Sequence, residues 1–372
     1  MPPRNTRKRR LRIVSLVGAR PQFVKLAALA RRFKCGPRAR QIEHLIVHSG
    51  QHYDKNLSEV FFDQLNIPVP EVNLKVGSGS HGAMTGAILA RFERLLLDRR
   101  PDMVIVYGDT NTTLSGALAA VKLALPVGHV EAGLRSFDLS MPEEVNRRVA
   151  DHVSDLLMCP TVQSVKNARA EKVSGRIVRT GDLMYELLDY SRDALRGSGK
   201  PPERALALSG EYVFLTAHRP ATVDTRETLQ KLLDLVAQLK APVIFPVHPR
   251  TYASLRKHRL LGAFRSLKGL RMIDPLTYAD TLSLAANASL VVTDSGGLQK
   301  EAVFLGTKCL TMREVTEWPE TLRYGNHLIG LSRQKEKRAL AAPHRPRRLS
   351  WKIGGKAPSE LIEQAVFEFL GH

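Results

Sequence analysis

The sequence predicts an α/β protein: two doubly wound parallel sheets, each Rossmann-like, with a cleft between them. Three observations carry that expectation. Short runs rich in Val, Ile and Leu, the mark of strands buried on both faces, alternate with amphipathic helical segments. The alternation occurs twice, before and after a stretch rich in Gly, Pro, Ser and charge, "DALRGSGKPPERALALSG". The length, 372 residues with 43% apolar content, suits two domains with real cores.

In the first half the predicted strands are "RIVSLVG", "HLIVHSG", "MVIVYGD", "PVGHVEAG", "LLMCPT" and "RIVRTGD". Helical stretches such as "GAMTGAILARFERLLLD" and "TTLSGALAAVKLA" lie between them. In the second half the strands are "EYVFLTAHR", "APVIFPVHP", "LRMIDPL", "SLVVTDSGG" and "KCLTMRE". The expected boundaries are a first domain over 1–184, a second over 185–356, and a C-terminal helix, 357–372, returning to the first. A hinge is expected near 185–200.

Three cysteines, Cys35, Cys159 and Cys309, are odd in number and far apart. They argue against a disulfide framework or a zinc site and for a reducing compartment, the cytoplasm. No stretch is long and apolar enough for a membrane span. The net charge is +20. Six basic residues crowd "MPPRNTRKRRLR", and nine, against one Glu, crowd the segment 331–356. Neither comes with a nucleic-acid-binding motif, so a solvated, disordered tail and a solvated loop are expected, with no specific nucleic acid as partner.

Ligands in doubly wound domains bind beyond the carboxyl ends of the strands. Here those ends carry ionisable residues: Arg20, His48, His52, Asp109 and Glu131 in the first half, and His218, Arg219, His248, Ser295, Glu301 and Arg313 in the second. In "VVTDSGGLQKEA" a buried strand stops at Asp294 and Ser295, both good N-cap types. Gly296 and Gly297 then let a ligand approach the backbone of a starting helix. Unpaired N–H groups at such a start attract an anion, most often phosphate. "GARPQFVK" places Arg20 past the first strand and Lys25 in the first helical turn, cations that suit a facing anion. Asp109, in "YGDTNTT", reads either as an N-cap or as an acid–base group. Glu131, in "HVEAGLRS", ends a strand where a cap type would be ordinary. In "MPEEVNRR", Pro142 opens a helix, Glu143 and Glu144 suit its positive end, and Glu143 can pair with Arg147 four residues on. Carboxylates gathered near one cleft could perform acid–base work, with mutual repulsion raising one pKa. "GSGSHG", Gly77 to Gly82, fits a dinucleotide fingerprint in form. The four residues before it make a weak strand, which is not the first of its domain.

Together, "GARPQFVKLAAL", "HSGQHYD", "YGDTNTTL", "HVEAGLRS", "MPEEVNRR", "HR", "PVHPR" and "TDSGGLQKEA" resemble the non-hydrolysing UDP-N-acetylglucosamine 2-epimerase family. The resemblance spans about Arg12 to Gly330. It implies two Rossmann-like domains of glycosyltransferase-B type and no cofactor, neither metal nor nicotinamide. It also implies interconversion of UDP-GlcNAc and UDP-ManNAc through a glycal. The "GARPQF" start and the "TEW" after "MRE" resemble the subgroup acting on UDP-2,3-diacetamido-2,3-dideoxy-glucuronic acid. The resemblance makes Asp109, Glu131 and Glu143 the acid–base carboxylates, places His218 beside them, and gives Arg20, Lys25, Arg147 and Ser295–Gly296 to the diphosphate. Arg219, His248, Gly297 and Arg313 join that binding set, and Glu301 takes the ribose. The expected partners are a UDP-sugar and a second copy in a homodimer. The rival readings are a glycosyltransferase of the same architecture, a nucleic-acid binder and an NAD enzyme using "GSGSHG".

Overall fold

The computed structural model describes residues 9–50, 69–189, 211–344 and 352–372. The chain forms two compact units, Met1–Leu187 with Trp351–His372, and Leu188–Ser350. His52, the basic residues 1–8, most of the expected hinge and linker, and 345–351 lie outside the described residues.

The first unit is built on seven parallel strands: β1 (Leu11–Val17), β2 (Ile42–His48), β3 (Val72–Asn73), β4 (Met103–Tyr107), β5 (Val127–Val130), β6 (Leu156–Cys159) and β7 (Arg176–Arg179). Their spatial order is β3-β2-β1-β4-β5-β6-β7. The central strands are those with unbroken apolar runs: every residue of "MVIVY" in β4 is buried. The edge strand β7, "RIVR", leaves its arginines exposed, which blunts the edge. Helices α1 (Arg20–Cys35), α2 (His81–Arg99), α3 (Asn111–Lys122), α4 (Pro142–Val153) and α5 (Val162–Ala170) connect the strands. On α2 the spacing of Ile88, Phe92 and Leu96 makes one buried stripe. Each such side chain contributes roughly 1.5–3 kcal/mol on burial.

The second unit has six parallel strands: β8 (Val213–Thr216), β9 (Val243–Pro246), β10 (Leu270–Ile273), β11 (Leu290–Thr293), β12 (Cys309–Thr311) and β13 (Asn326–Leu328). Their order, β10-β9-β8-β11-β12-β13, repeats the winding of the first unit. Helices α6 (Arg226–Gln238), α7 (Pro249–Lys257), α8 (Tyr278–Asn287) and α9 (Gly296–Leu305) flank the sheet. The basic segment after Leu331 is not the loop expected: it forms α10 (Arg333–Ala341), whose Ala339 is buried. The last helix, α11 (Pro358–Phe369), belongs to the first unit. Arg32 of α1 donates to Glu363 at 2.7 Å, and Ser359 N–H donates to Glu186 at 2.8 Å.

In each sheet the winding reverses between two neighbouring strands, β1 and β4 in the first unit, β8 and β11 in the second. There the loops leave in opposite directions and a crevice opens beyond the strand ends. The first reversal is held by Gln22. Its Oε1 accepts the N–H groups of Gly18 (2.8 Å) and Ala19 (3.0 Å), and its Nε2 donates to Tyr107 O (2.7 Å) and Thr110 Oγ1 (3.0 Å). The "GSGSHG" turn sits instead after β3, the edge strand, so it lacks the switch-point position that a dinucleotide fingerprint needs.

Gly133, just past β5, has φ +77°, and a Cβ there would lie 2.2 Å from the Ser164 carbonyl oxygen. Gly133→Ala combines left-handed strain with a backbone collision and should destabilise the first unit by about 2 kcal/mol or more. A thermal midpoint equal to wild type would contradict that packing.

Candidate active site

In the first unit the expected carboxylates gather past β4 and β5. Thr110, not Asp109, caps α3, so the Asp109 side chain is not used as an N-cap. It pairs with Arg147 Nη2 of α4 and remains partly exposed. Arg147 Nη1 donates to Glu144 at 2.9 Å rather than pairing with Glu143. Glu144 is fully buried because it also accepts Ser136 N–H (2.8 Å) and Ser136 Oγ–H (2.9 Å), and so folds the loop before α4. Glu143, on the first turn of α4, is half-buried. Asn146 Nδ2 donates to the Asp109 carbonyl at 3.0 Å.

Glu131 follows β5 with φ +71°, a conformation that a side chain of its size seldom adopts. Such strain persists only where the surroundings impose it, and it collects at functional positions. Its carboxylate pairs with Lys25 Nζ, both side chains nearly buried. Lys25 lies in the second turn of α1, not the first, because the helix already begins at Arg20. That turn carries the ammonium to Glu131. A Cβ on Gly108 would meet Lys25 Nζ at 3.0 Å and Glu131 Oε2 at 3.3 Å, so this pair adjoins the backbone that bears Asp109. Arg20 opens α1 beside the first switch point, and the expectation for its side chain lies outside the described residues. His48 is buried, with Nδ1 accepting Gly50 N–H at 2.6 Å and its ring centroid 5.1 Å from that of Phe23.

A buried ionic layer supports these strand ends. His129 of β5 places Nδ1 2.7 Å from Asp151 of α4 and Nε2 2.7 Å from the Gly108 carbonyl. Both ring nitrogens therefore meet acceptors, which a ring carrying both protons satisfies in full. Asp151 also accepts from Gly133 N–H (3.0 Å) and Arg135 (2.6 Å), and Arg135 donates to both oxygens of Glu171 (2.9 and 2.7 Å). Burial acts to raise the Asp151 pKa, but pairing with His129 and Arg135 outweighs it and holds the carboxyl below its ordinary range. None of His129, Arg135, Asp151 or Glu171 was among the sequence candidates.

In the second unit Ser295 caps α9, its Oγ accepting Leu298 N–H at 3.3 Å. Two guanidinium groups converge there: a Cβ on Gly296 would meet Arg313 Nη1 at 3.3 Å, Arg219 Nη2 at 3.6 Å and, behind Arg313, Glu317 Oε2 at 3.8 Å. Arg313 is fixed by a bidentate pair with Glu317, both bonds 2.9 Å. A Cβ on Gly297 would meet only Ser295 Oγ, at 3.9 Å. Cations and helix N–H groups around a bare glycine form an anion site without further chemistry. His248 caps α7 with Nδ1 accepting Arg250 N–H at 3.2 Å, and its ring lies 5.5 Å from that of His218. Burial, then the neighbouring His218, lowers the His248 pKa. Glu301, one turn into α9, is buried, and Tyr278 O–H donates to its Oε1 at 2.7 Å. The tyrosine, unforeseen in the sequence, orients the carboxylate. Cys159 and Cys309 are buried, and burial pushes both thiols up to about 12.

The family model for UDP-N-acetylglucosamine 2-epimerase matches residues 37–347. The chain belongs to that family. It is 43% identical to a UDP-N-acetylglucosamine 2-epimerase homolog of Methanococcus maripaludis over 87% of this chain and 90% of that one. It is 40% identical to the UDP-2,3-diacetamido-2,3-dideoxy-D-glucuronate 2-epimerase of Pseudomonas aeruginosa, over 87% and 89%. Among solved structures, the Methanocaldococcus jannaschii UDP-GlcNAc 2-epimerase in complex with UDP-GlcNAc and UDP superposes with a TM-score of 0.86 at 35% identity, covering 96% of this chain and 100% of that chain. The epimerase family thus supplies the same fold that the two sheets display. No helix among the described residues is long and apolar enough to cross a membrane.

Asp151→Asn tests the buried layer. Removing one partner leaves the remaining buried charges uncompensated and should destabilise the protein by about 3–5 kcal/mol. The folded-state pKa of Asp151 is depressed, so its stabilisation is complete above the unfolded value of about 3.9 and is lost as pH falls through the folded value. Acid unfolding of the variant should therefore be less steep below about pH 4 than that of wild type. Parallel acid limbs would remove Asp151 from the account.

Proposed function

We propose that this chain is an isomerase, a non-hydrolysing UDP-sugar 2-epimerase that interconverts UDP-GlcNAc and UDP-ManNAc. The observation that carries the reading is the convergence of Arg219 and Arg313 on Gly296, at the start of a helix that also bears Glu301. That arrangement suits a nucleoside diphosphate, with the phosphates at the helix start and the ribose hydroxyls at Glu301. Ser295, Gly297, His218 and His248 complete its surroundings. The first unit supplies the carboxylates, so the assignment of proton transfer to the N-terminal domain and UDP binding to the C-terminal domain follows.

C2–H of the sugar is not acidic enough to leave alone. A carboxylate removes the proton as the C1–O bond breaks, the C–H electrons become the C1=C2 bond, and UDP departs with the C1–O pair. Re-addition of UDP at C1 with protonation of C2 from the opposite face gives the epimer. The scheme needs carboxylates on both faces of the sugar and cations for the departing diphosphate. Asp109, Glu131 and Glu143 serve the first need. Arg219, Arg313 and the α9 N–H groups serve the second, with Arg20, Lys25 and Arg147 balancing charge. The chain would work in the cytoplasm as a homodimer, where its three cysteines stay reduced.

A second reading, 2-epimerisation of UDP-2,3-diacetamido-2,3-dideoxy-glucuronic acid, is favoured by the 40% identity to the Pseudomonas aeruginosa enzyme. Proton NMR in D2O with each UDP-sugar separates the two. Turnover should place deuterium at C2 and release traces of UDP. Inversion without solvent deuterium would overturn elimination and re-addition. UDP released only on adding an acceptor would instead indicate a glycosyltransferase.

Asp109→Asn, Glu131→Gln and Glu143→Gln should each lower turnover by roughly 10²–10⁴ while leaving UDP affinity nearly intact. Normal turnover in all three would remove these carboxylates from the chemistry. Glu301→Ala should weaken UDP binding by roughly 1.5–3 kcal/mol, the value of hydrogen bonds to a charged group. Calorimetry showing unchanged affinity would displace the ribose from α9.

A further inference from the structure

Asp294 ends the loop of β11 and reaches across the second switch point to the loop after β8. Its Oδ2 accepts the backbone N–H groups of His218 (2.8 Å) and Arg219 (2.7 Å). It does not cap α9, since Ser295 does. Its Oδ1 is buried without a hydrogen bond of full geometry, and His218 Nδ1 lies 3.2 Å from it. The carboxylate is fully buried, whereas the His218 side chain is 40% exposed. The backbone tie uses only one oxygen. The other faces Nδ1 of that partly exposed imidazole.

We propose that Asp294 is a positioning residue for His218, holding a proton on Nδ1 and turning Nε2 outward to the diphosphate. This rests on the reading that His218 serves the UDP site. A carboxylate can only accept, so Nδ1 must carry hydrogen. A phosphate oxygen at Nε2 is likewise an acceptor. The ring that satisfies both sides is therefore the cation, balanced by Asp294 and donating a charge-assisted bond to the leaving group. His248 is the second titratable ring at this position, and Arg219 the adjacent cation.

Asp294→Asn separates positioning from folding. The amide oxygen can still accept both backbone N–H groups, while its NH2 now meets Nδ1 and reverses the tautomer. In protein carrying ¹⁵N-labelled histidine at about pH 8, above the ordinary His value of about 6.5, the His218 signal (assigned by its loss in His218→Asn) should show a protonated Nδ1 in wild type and a bare Nδ1 in Asp294→Asn. The thermal midpoint should stay near wild type. Turnover should fall about 10-fold or more with KM little changed, since Nε2–H then sits on a neutral ring and the cation's stabilisation of the departing diphosphate is lost. In the His218→Asn background, Asp294→Asn should add nothing further. A bare Nδ1 in wild type overturns the proposal, as do independent, multiplying effects in the double variant. If Asp294→Asn does not fold, the wild-type spectrum decides alone. If wild type epimerises neither sugar, the proposed function fails while the tautomer still tests the role of Asp294.

Discussion

A single amide side chain sets the geometry on which the first unit's site depends. Gln22 accepts from the backbone just past β1 and donates to the backbone and capping hydroxyl just past β4. Parallel strands present their loops at one edge, but nothing in the ladder fixes how two loops leaving in opposite directions are spaced. A buried amide with donors on one atom and acceptors on the other can do so, and leaving it half satisfied would cost about 1–3 kcal/mol per orphaned group. With β1 and β4 locked, the sixth residue of α1 brings Lys25 to Glu131, and the residue after Gly108 is Asp109. The charged groups inherit their positions from a neutral one.

Once positioned, those charges are arranged in two tiers. The upper tier pairs Asp109 with Arg147 and Glu131 with Lys25, partly open to a ligand. The lower tier, His129, Asp151, Arg135 and Glu171, is buried and internally balanced. Arg135 lies between the two carboxylates there, and His129 donates or accepts within the same layer. Glu131 joins the tiers: two residues past His129 and just beyond β5, it takes a left-handed turn, and its carboxylate pairs with Lys25. A glycine would make that turn at less cost. The side chain is retained where the backbone resists it, which is the expected mark of a residue kept for chemistry.

The central strands were legible because burial on both faces leaves only apolar residues in them, and β4 and β11 read directly from "MVIVY" and "LVVT". The doubled α/β pattern gave the architecture for the same reason. Cap assignments were less secure, since Asp109–Thr110 and Asp294–Ser295 each offer two capping types in succession. In both cases the hydroxyl residue takes the cap position and the acid turns elsewhere. The roles of the supporting residues were not legible in the sequence. Gln22, Asp151, Tyr278 and Asp294 act on partners that are mostly tens of residues away in sequence, and no local period marks them. Only Gln22 left a local trace, three residues past the N-cap Ala19, where a capping-box glutamine would stand.

The two units solve the same topological problem with different chemistry, and the difference follows what each strand edge holds. Both must tie the loop after the first strand of the sheet to the loop after its central neighbour. The first unit uses an amide, which adds no charge beside the Asp109 and Glu131 carboxylates. The second uses a carboxylate, Asp294, directly beneath a helix start that collects cations. An anion below an anion site would ordinarily weaken it. Here two backbone N–H groups and the imidazole of His218 surround the charge, and its depressed pKa reflects that, burial alone acting in the opposite direction. On the proposed reading, the negative charge serves to orient His218. A neutral amide at that position could still accept the two backbone N–H groups but would donate to His218 Nδ1 where the carboxylate accepts, and would remove the negative charge.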